Sequence, residues 1–386
     1  MSDMIALSQE RTQLFKDLYR GITPKKVPIG IKLYTEFAIQ YAGMNLPEVQ
    51  WKTEKLEEAF DKVCSDFVAD LPPIGANRFI SFYDMLGAKT FVMGSSGFIQ
   101  HPEIHGLEPE EYDEFIQSPY DCIVEKILPR LYTKLDTDNA NTKALILAKA
   151  MKAYYDEFAG FGAIKGKMIQ KYGYAVMSPA SGTFCEAPYD FVADLIRGFK
   201  GISNDIRRCP QKVLEACEAV TPLMLKKGTP PVPSIDGETM IPLHMAPYMR
   251  DKDFEKFYWP TFKRLIDSLA ERGQGVYLFV EHDWMRYLDY LYELPENTRM
   301  RFEYGDPKLV KEKLGKKHII SGFYPISMLK NGTKEQCIDK AKELLDILAP
   351  GGRYYFDFDK VPITVDSVNV ENLKAVLNYV NENGKY

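Results

Sequence analysis

The chain has 386 residues, 45% of them hydrophobic and 27% charged, which is enough apolar surface for a large core and shows no bias toward disorder. A formal net charge of −5 provides no basic field to condense on phosphate backbones or anionic bilayers, so nucleic acid and membrane surfaces are excluded as expected partners. A single elaborated domain over 1–386 is expected, because α/β barrels routinely run past about 250 residues as one unit.

From the N-terminus, MSDMIALSQERTQLFKDLYRG is amphipathic and charged from its first turn. It lacks the unbroken apolar core of a secretory signal, which predicts a cytoplasmic protein. About residues 1–60 are expected to form a helical N-terminal extension, closing on the helix predicted over 51–64 from apolar positions spaced by three and four. A second helix of this kind is predicted over 251–271. Between the helices lie short apolar runs: Val27–Leu33, Phe67–Ala69, Tyr174–Ser178, Val232–Asp236, Val276–Val280, Met300–Glu303, His318–Gly322 and Tyr354–Asp357. Continuous rather than alternating apolarity marks parallel strands buried on both faces. About eight such runs alternating with helices predict a (β/α)₈ TIM barrel. An open doubly wound sheet would show a glycine-rich turn after its first strand, and none follows Val27–Leu33. Gly351-Gly352 lies between a helix and the last strand and reads as an αβ turn. Six cysteines, Cys64, Cys122, Cys185, Cys209, Cys217 and Cys337, form no CxxC pair and read as free thiols.

In such barrels the chemistry sits at the carboxyl ends of the strands. Several runs finish there on acids or imidazole: Asp236, with Glu238 and His244 behind it, then Glu281-His282-Asp283, Glu303, and Asp357 with Asp359. Acids converging on one rim of an apolar wall make a ligand pocket. Side chains two apart on a strand share a face, so paired carboxylates there need a cation or a shared proton between them. An imidazole from His244 or His282 would complete a nitrogen and oxygen shell suited to catalytic zinc. The plainer reading of any one strand-end acid is a helix cap or a solvated carboxylate. His101, His105 and His318 read as structural, and Tyr324 suits an aromatic pocket wall.

At this point Asp253–Lys263, followed by a helix, a glycine and the strand Tyr277–Val280, resembles the family of uroporphyrinogen-decarboxylase-like proteins. So do Glu111–Phe115, Ala187–Asp190, Ser321–Pro325 with Leu329 and Gly332-Thr333, and Pro350–Gly352 leading to Glu371–Leu373. The similarity runs in order along nearly the whole chain and implies the same barrel. The family contains decarboxylases and the methyltransferases of anaerobic corrinoid systems. Its decarboxylases carry an Arg-Gln-Ala-Gly-Arg run after the first strand, where this chain has Tyr34–Gln40 and no arginine. An anionic tetrapyrrole would lack that counter-charge, so decarboxylation is the lesser reading. The thiol-methylating members carry His-x-Cys and a further Cys at strand ends, where this chain has Glu281-His282-Asp283 and Asp359.

Hard oxygen ligands in place of thiolates suit an oxygen substrate. The resemblance therefore implies a cobalamin-dependent O-demethylase that moves the methyl group of a methylated oxygen compound, best an aryl methyl ether, to the cobalt(I) of a separate corrinoid protein. It implies zinc on His244, Glu281 and Asp359, catalytic roles for His282 and Asp283, and substrate contacts from Asp236, Glu238, Glu303, Tyr324 and Asp357. The alternatives are a decarboxylase, a metal-dependent hydrolase on the same barrel, or a binding protein that has lost the chemistry. The oligomeric state is left open, with a homodimer as the candidate.

Overall fold

The structure, a computed structural model, describes residues 2–76 and 78–386. Its centre is a parallel sheet of Thr183–Phe184, Glu238–Leu243, Gly275–Val280, Arg299–Phe302 and Ile319–Gly322, hydrogen-bonded in that order. Three further extended segments continue it. Parallel bridges join Ile320 to Tyr354 and Tyr324 to Phe358, and another joins Phe356 to Ile29. Gly30 N–H donates to the Phe356 carbonyl at 3.2 Å, and Phe356 N–H donates to that of Pro28 at 2.9 Å. Beyond them, Gly75 N–H donates to the Leu33 carbonyl at 3.0 Å, and Ala175 N–H donates to that of Asp70 at 2.8 Å. Residues 174–176 then run on along the chain to Thr183–Phe184, so the segments follow one another in the order of the expected (β/α)₈ barrel.

Alternation along the segments separates two environments. Ile29, Ile31, Leu33, Ile241, Leu243, Leu278, Val280, Met300, Phe302 and Phe356 are wholly buried and supply the apolar side that the surrounding helices cover. The residues between them face the barrel interior, which is unusually polar for a space normally filled by branched apolar side chains. Arg299 lies over the rings of Tyr277 and Tyr355, at 3.5 and 4.7 Å, with its Nε 2.6 Å from Glu238. Gly30 is required at this level, because a Cβ there would overlap the Tyr355 hydroxyl, which donates to the Gly30 carbonyl.

Three expectations about elements are corrected. Val232–Asp236 is not a strand; the strand starts at Glu238 and ends at Leu243. Pro230, Pro231 and Pro233 bring no N–H to a ladder. Asp236 and Glu238 therefore stand at the amino-terminal rim, opposite the site they were assigned to. The Phe67–Ala69 run ends the helix Thr53–Asp66, and barrel pairing begins only at Asp70. The leading helix is Ser2–Tyr19, and residues 27–60 already form the first segment and the helices that follow it. That leading helix meets the amino-terminal rim, where the Arg20 guanidinium grips Asp236 in two parallel bonds of 2.9 and 2.7 Å.

The longest excursion, residues 76–173, carries the short hairpin Val92–Met93 with Ile99–Gln100 and the helix Ala140–Tyr172. It brings Phe98 and Ile99 over the barrel mouth. Among the described residues no helix is long and apolar enough to cross a membrane.

Candidate active site

The register decides which residues meet. Leu243 pairs with Val280, Val280 with Phe302, and Phe302 with Gly322. The next residues, His244, Glu281 and Glu303, therefore leave the sheet at one height on the carboxyl-end rim. Below them opens a cavity of about 730 Å³, within the usual range for small-molecule sites. Its walls include Phe98, Met240, Phe279, Ile326 and Ile363, with Glu36, Glu281, His282, Arg301, Glu303 and Lys360 as charged or titratable groups.

Two acids from the helical stretch after residue 187 complete the rim. Asp190 is fully buried and accepts the N–H groups of His244 and Met245, at 3.1 and 3.0 Å, and the Tyr258 hydroxyl at 2.7 Å. It pins the loop that carries His244. Four residues on, Asp194 Oδ2 lies 3.4 Å from His244 Nδ1, and Glu281 Oε2 lies 3.5 Å from the same nitrogen. Burial pushes the Asp194 carboxyl up to about 7, aided by Asp190 and opposed by His244. Burial likewise pushes Glu281 up to about 8, reinforced by Glu303, Asp190 and Asp194 and opposed by Lys360. A carboxylic acid that keeps its proton at neutral pH thus faces the cavity. Asp194 lies in a π-helical stretch, Phe191–Arg197, a wide turn often found at functional sites.

Glu303 is tied instead to cations and donors. Its Oε1 lies 2.5 Å from Lys360 Nζ, and its Oε2 accepts the His282 N–H at 2.7 Å. Burial raises it, but Lys360 and that N–H outweigh burial and hold it below the usual carboxylate range. His282 sits in the left-handed region at φ 58°, a conformation that costs a non-glycine residue about 1 kcal/mol or more. Its Nε2 is 3.0 Å from the Tyr248 hydroxyl.

The other assigned residues lie elsewhere or are engaged. Asp283 is exposed, and its Oδ1 accepts the Met285 N–H at 2.9 Å, a short-helix cap. Asp359 Oδ1 accepts the N–H groups of Ile326 and Lys360, at 3.0 and 2.6 Å. Tyr324 is buried against Phe356 and Phe358 and donates to the Cys337 carbonyl at 2.8 Å; it belongs to the core rather than the cavity wall. Asp357 is buried, with Oδ2 3.5 Å from Arg301 Nε. Glu238 pairs with Arg299 at the far end of the barrel.

Of the zinc set implied by resemblance, His244 and Glu281 stand together, while Asp359 Oδ1 accepts two backbone N–H groups. Among the described residues no group of three or more His, Cys, Asp or Glu side chains is gathered so as to hold a metal ion. No step is derived through one. Sequence reasoning missed Asp194, Arg301, Phe98 and Lys360. For Asp194 a signal existed, the four-residue spacing from Asp190 that puts both carboxylates on one helix face. For Arg301 the alternation with Phe302 was the available sign.

A comparison with curated proteins found no match. Among solved structures, the chain is similar in fold to a methyltransferase from Methanosarcina mazei, at 14% identity and a TM-score of 0.60, over 97% of this chain and 98% of that one. The family described as uroporphyrinogen decarboxylase (URO-D) matches residues 179–382. That match takes in more than half of the chain, and with it His244, Glu281 and Glu303; the chain belongs to the uroporphyrinogen decarboxylase (URO-D) family.

Proposed function

We propose that the protein is a methyltransferase that demethylates a methylated oxygen compound, an aryl methyl ether above all, and passes the methyl group to a corrinoid protein. The observation that carries this reading is Glu281, a carboxyl group with its proton held up to about 8 by burial and by Glu303, Asp190 and Asp194, facing a largely apolar cavity at the catalytic rim. The likeness in fold to a protein described as a methyltransferase supports the same class.

An ether resists cleavage because its oxygen leaves poorly as an anion. A proton delivered as the carbon–oxygen bond breaks removes that difficulty. Glu281 donates the proton to the leaving oxygen, the bonding pair stays on that oxygen, and the product is a phenol. A cobalt(I) corrinoid on the partner would supply the electron pair that takes the methyl group. His244, between Asp194 and Glu281, is placed to return a proton to Glu281. Phe98, Phe279 and Ile363 exclude water and hold the ring. The partner would bear on the rim beside His282, where exposed Phe199 and Tyr248 meet edge to face at 5.5 Å.

The test is incubation with a reduced corrinoid protein and a panel of methyl ethers. Loss of the cobalt(I) absorbance, with one phenol formed per corrinoid consumed, is expected. Phenol or other product formed equally well without a corrinoid would assign the protein to the hydrolases, and loss of carbon dioxide from a carboxylated substrate would assign it to the decarboxylases.

A further inference from the structure

The deeper end of the cavity has a charge imbalance that the reaction at Glu281 leaves unused. Arg301 lines the cavity, yet it is only 4% exposed. Its Nε donates to the Phe358 carbonyl at 2.8 Å, while its Nη2 is buried with no hydrogen-bond partner. Lys32 stands on the interior face of the first segment, two residues before the cavity-lining Tyr34, and has no ion-pair partner among the described residues. Its depth within the barrel, with Lys165, Arg299 and Arg301, holds its ammonium down to about 8, and Asp357 opposes them, while the side chain itself stays open to the barrel space.

The neighbouring charges do not relieve this. Arg299 is matched by Glu238 and Lys360 by Glu303. Asp357 is left as one carboxylate facing both Arg301 and Lys32, and Glu281 carries its proton. Arg301 is desolvated while the Lys32 side chain is open to the barrel space, and Asp357 is the carboxylate that acts on both. Such an arrangement is costly unless a further anion arrives, and a guanidinium with a free edge is suited to a planar carboxylate.

We propose that Arg301 and Lys32 form a carboxylate-binding subsite in the depth of the barrel, so that the methyl donor is an aromatic acid bound with its carboxylate inward and its ether oxygen at Glu281. The spacing agrees. Arg301 pairs in register with Phe279, and Glu281 lies two residues further along that strand, about 6.6 Å at the usual rise, comparable with the span of a benzene ring. Phe279, whose ring lies under the Arg301 guanidinium at 4.9 Å, belongs to the wall between the two ends.

This inference rests on the proposed function only for the word donor; the subsite itself is tested without any corrinoid. Titration calorimetry on the intact protein would compare para-methoxybenzoate with para-methoxybenzamide, which has the same shape and no charge. The benzoate is expected to bind at least tenfold tighter. Lys32→Met should remove most of that preference and leave the benzamide affinity unchanged, and Arg301→Lys, which keeps the charge but loses the fork, should weaken the benzoate alone, with far-ultraviolet circular dichroism to show both variants folded. Equal affinities, binding of neither probe, or a preference that survives Lys32→Met would overturn the subsite. Preferential benzoate binding without methyl transfer to any cobalt(I) corrinoid would support the subsite and overturn the methyltransferase reading instead.

Discussion

His244 Nδ1 stands 3.5 Å from Glu281 Oε2 and 3.4 Å from Asp194 Oδ2, so one imidazole is shared by two acids from different barrel segments. The parallel register places His244 and Glu281 side by side at the ends of neighbouring strands, and Asp190 fixes the height of the His244 loop through two backbone N–H groups. The chemistry of the rim depends on how the proton is distributed over this group.

Glu281→Gln keeps the side-chain shape but has no acidic proton to give. A general acid typically contributes on the order of a hundredfold or more in rate, and the loss should fall on the methyl-transfer step with little change in donor affinity. Single-turnover transfer to cobalt(I) measures it; a variant at nearly the wild-type rate would remove Glu281 from the mechanism.

The same group predicts the pH dependence. Burial, with Glu303, Asp190 and Asp194, lifts Glu281 from an ordinary 4.5 to about 8, so the proton is present below that value and kcat falls as pH rises through it. The folded form holds this proton more tightly than the unfolded chain. Its contribution to stability is therefore complete below the ordinary value and is lost as pH rises toward about 8, by an amount on the order of a few kcal/mol at most. Glu281→Gln should have the higher Tm of the two proteins at alkaline pH and lose that advantage in acid, as read by thermal melts across pH.

Prolonged dialysis against a strong chelator should leave methyl transfer intact, because the proposed reaction draws its proton from Glu281 and uses no metal at the ether oxygen. Elemental analysis before and after dialysis accompanies the assay. Activity lost on dialysis and restored by zinc alone would assign Asp194, His244 and Glu281 to a metal rather than to a proton.

Asp190→Ala should destabilise the protein strongly. It strands the buried Met245 N–H and Tyr258 hydroxyl and the half-buried His244 N–H, and each unsatisfied buried group costs about 1–3 kcal/mol. Denaturant unfolding measures the loss, and faster amide exchange at His244 and Met245 should accompany it.

Gly30→Ala tests the barrel interior. The added methyl overlaps the Tyr355 hydroxyl, and overpacking of this kind costs about 1–3 kcal/mol. Pairing it with Tyr355→Leu, which removes the hydroxyl together with the ring carbons that the methyl would also meet, should recover part of the lost Tm.

The amino-acid sequence by itself determined the barrel and part of its rim. A strand buried on both faces needs a continuous apolar run, and Val276–Val280, Met300–Phe302, His318–Gly322 and Tyr354–Phe356 announce themselves in this way. Glu281 and Glu303 follow directly from where two of those runs stop. His244 was legible as an imidazole in the loop behind Asp236, but the prolines at 230, 231 and 233 masked the true strand and drew attention to Asp236 at the wrong end. Tertiary structure alone decided which acids face one another and which are spent on caps. Asp283 and Asp359 look like Glu281 in sequence, but each turns its Oδ1 to neighbouring backbone N–H groups. Arg301 and Lys32, some 270 residues apart in the chain, face the same barrel interior only when the last segment pairs with the first. Periodicity reports whether a backbone stretch is buried. The partner of a given charge is set by register and by competition among donors and acceptors distant in sequence, and neither is written in any local pattern.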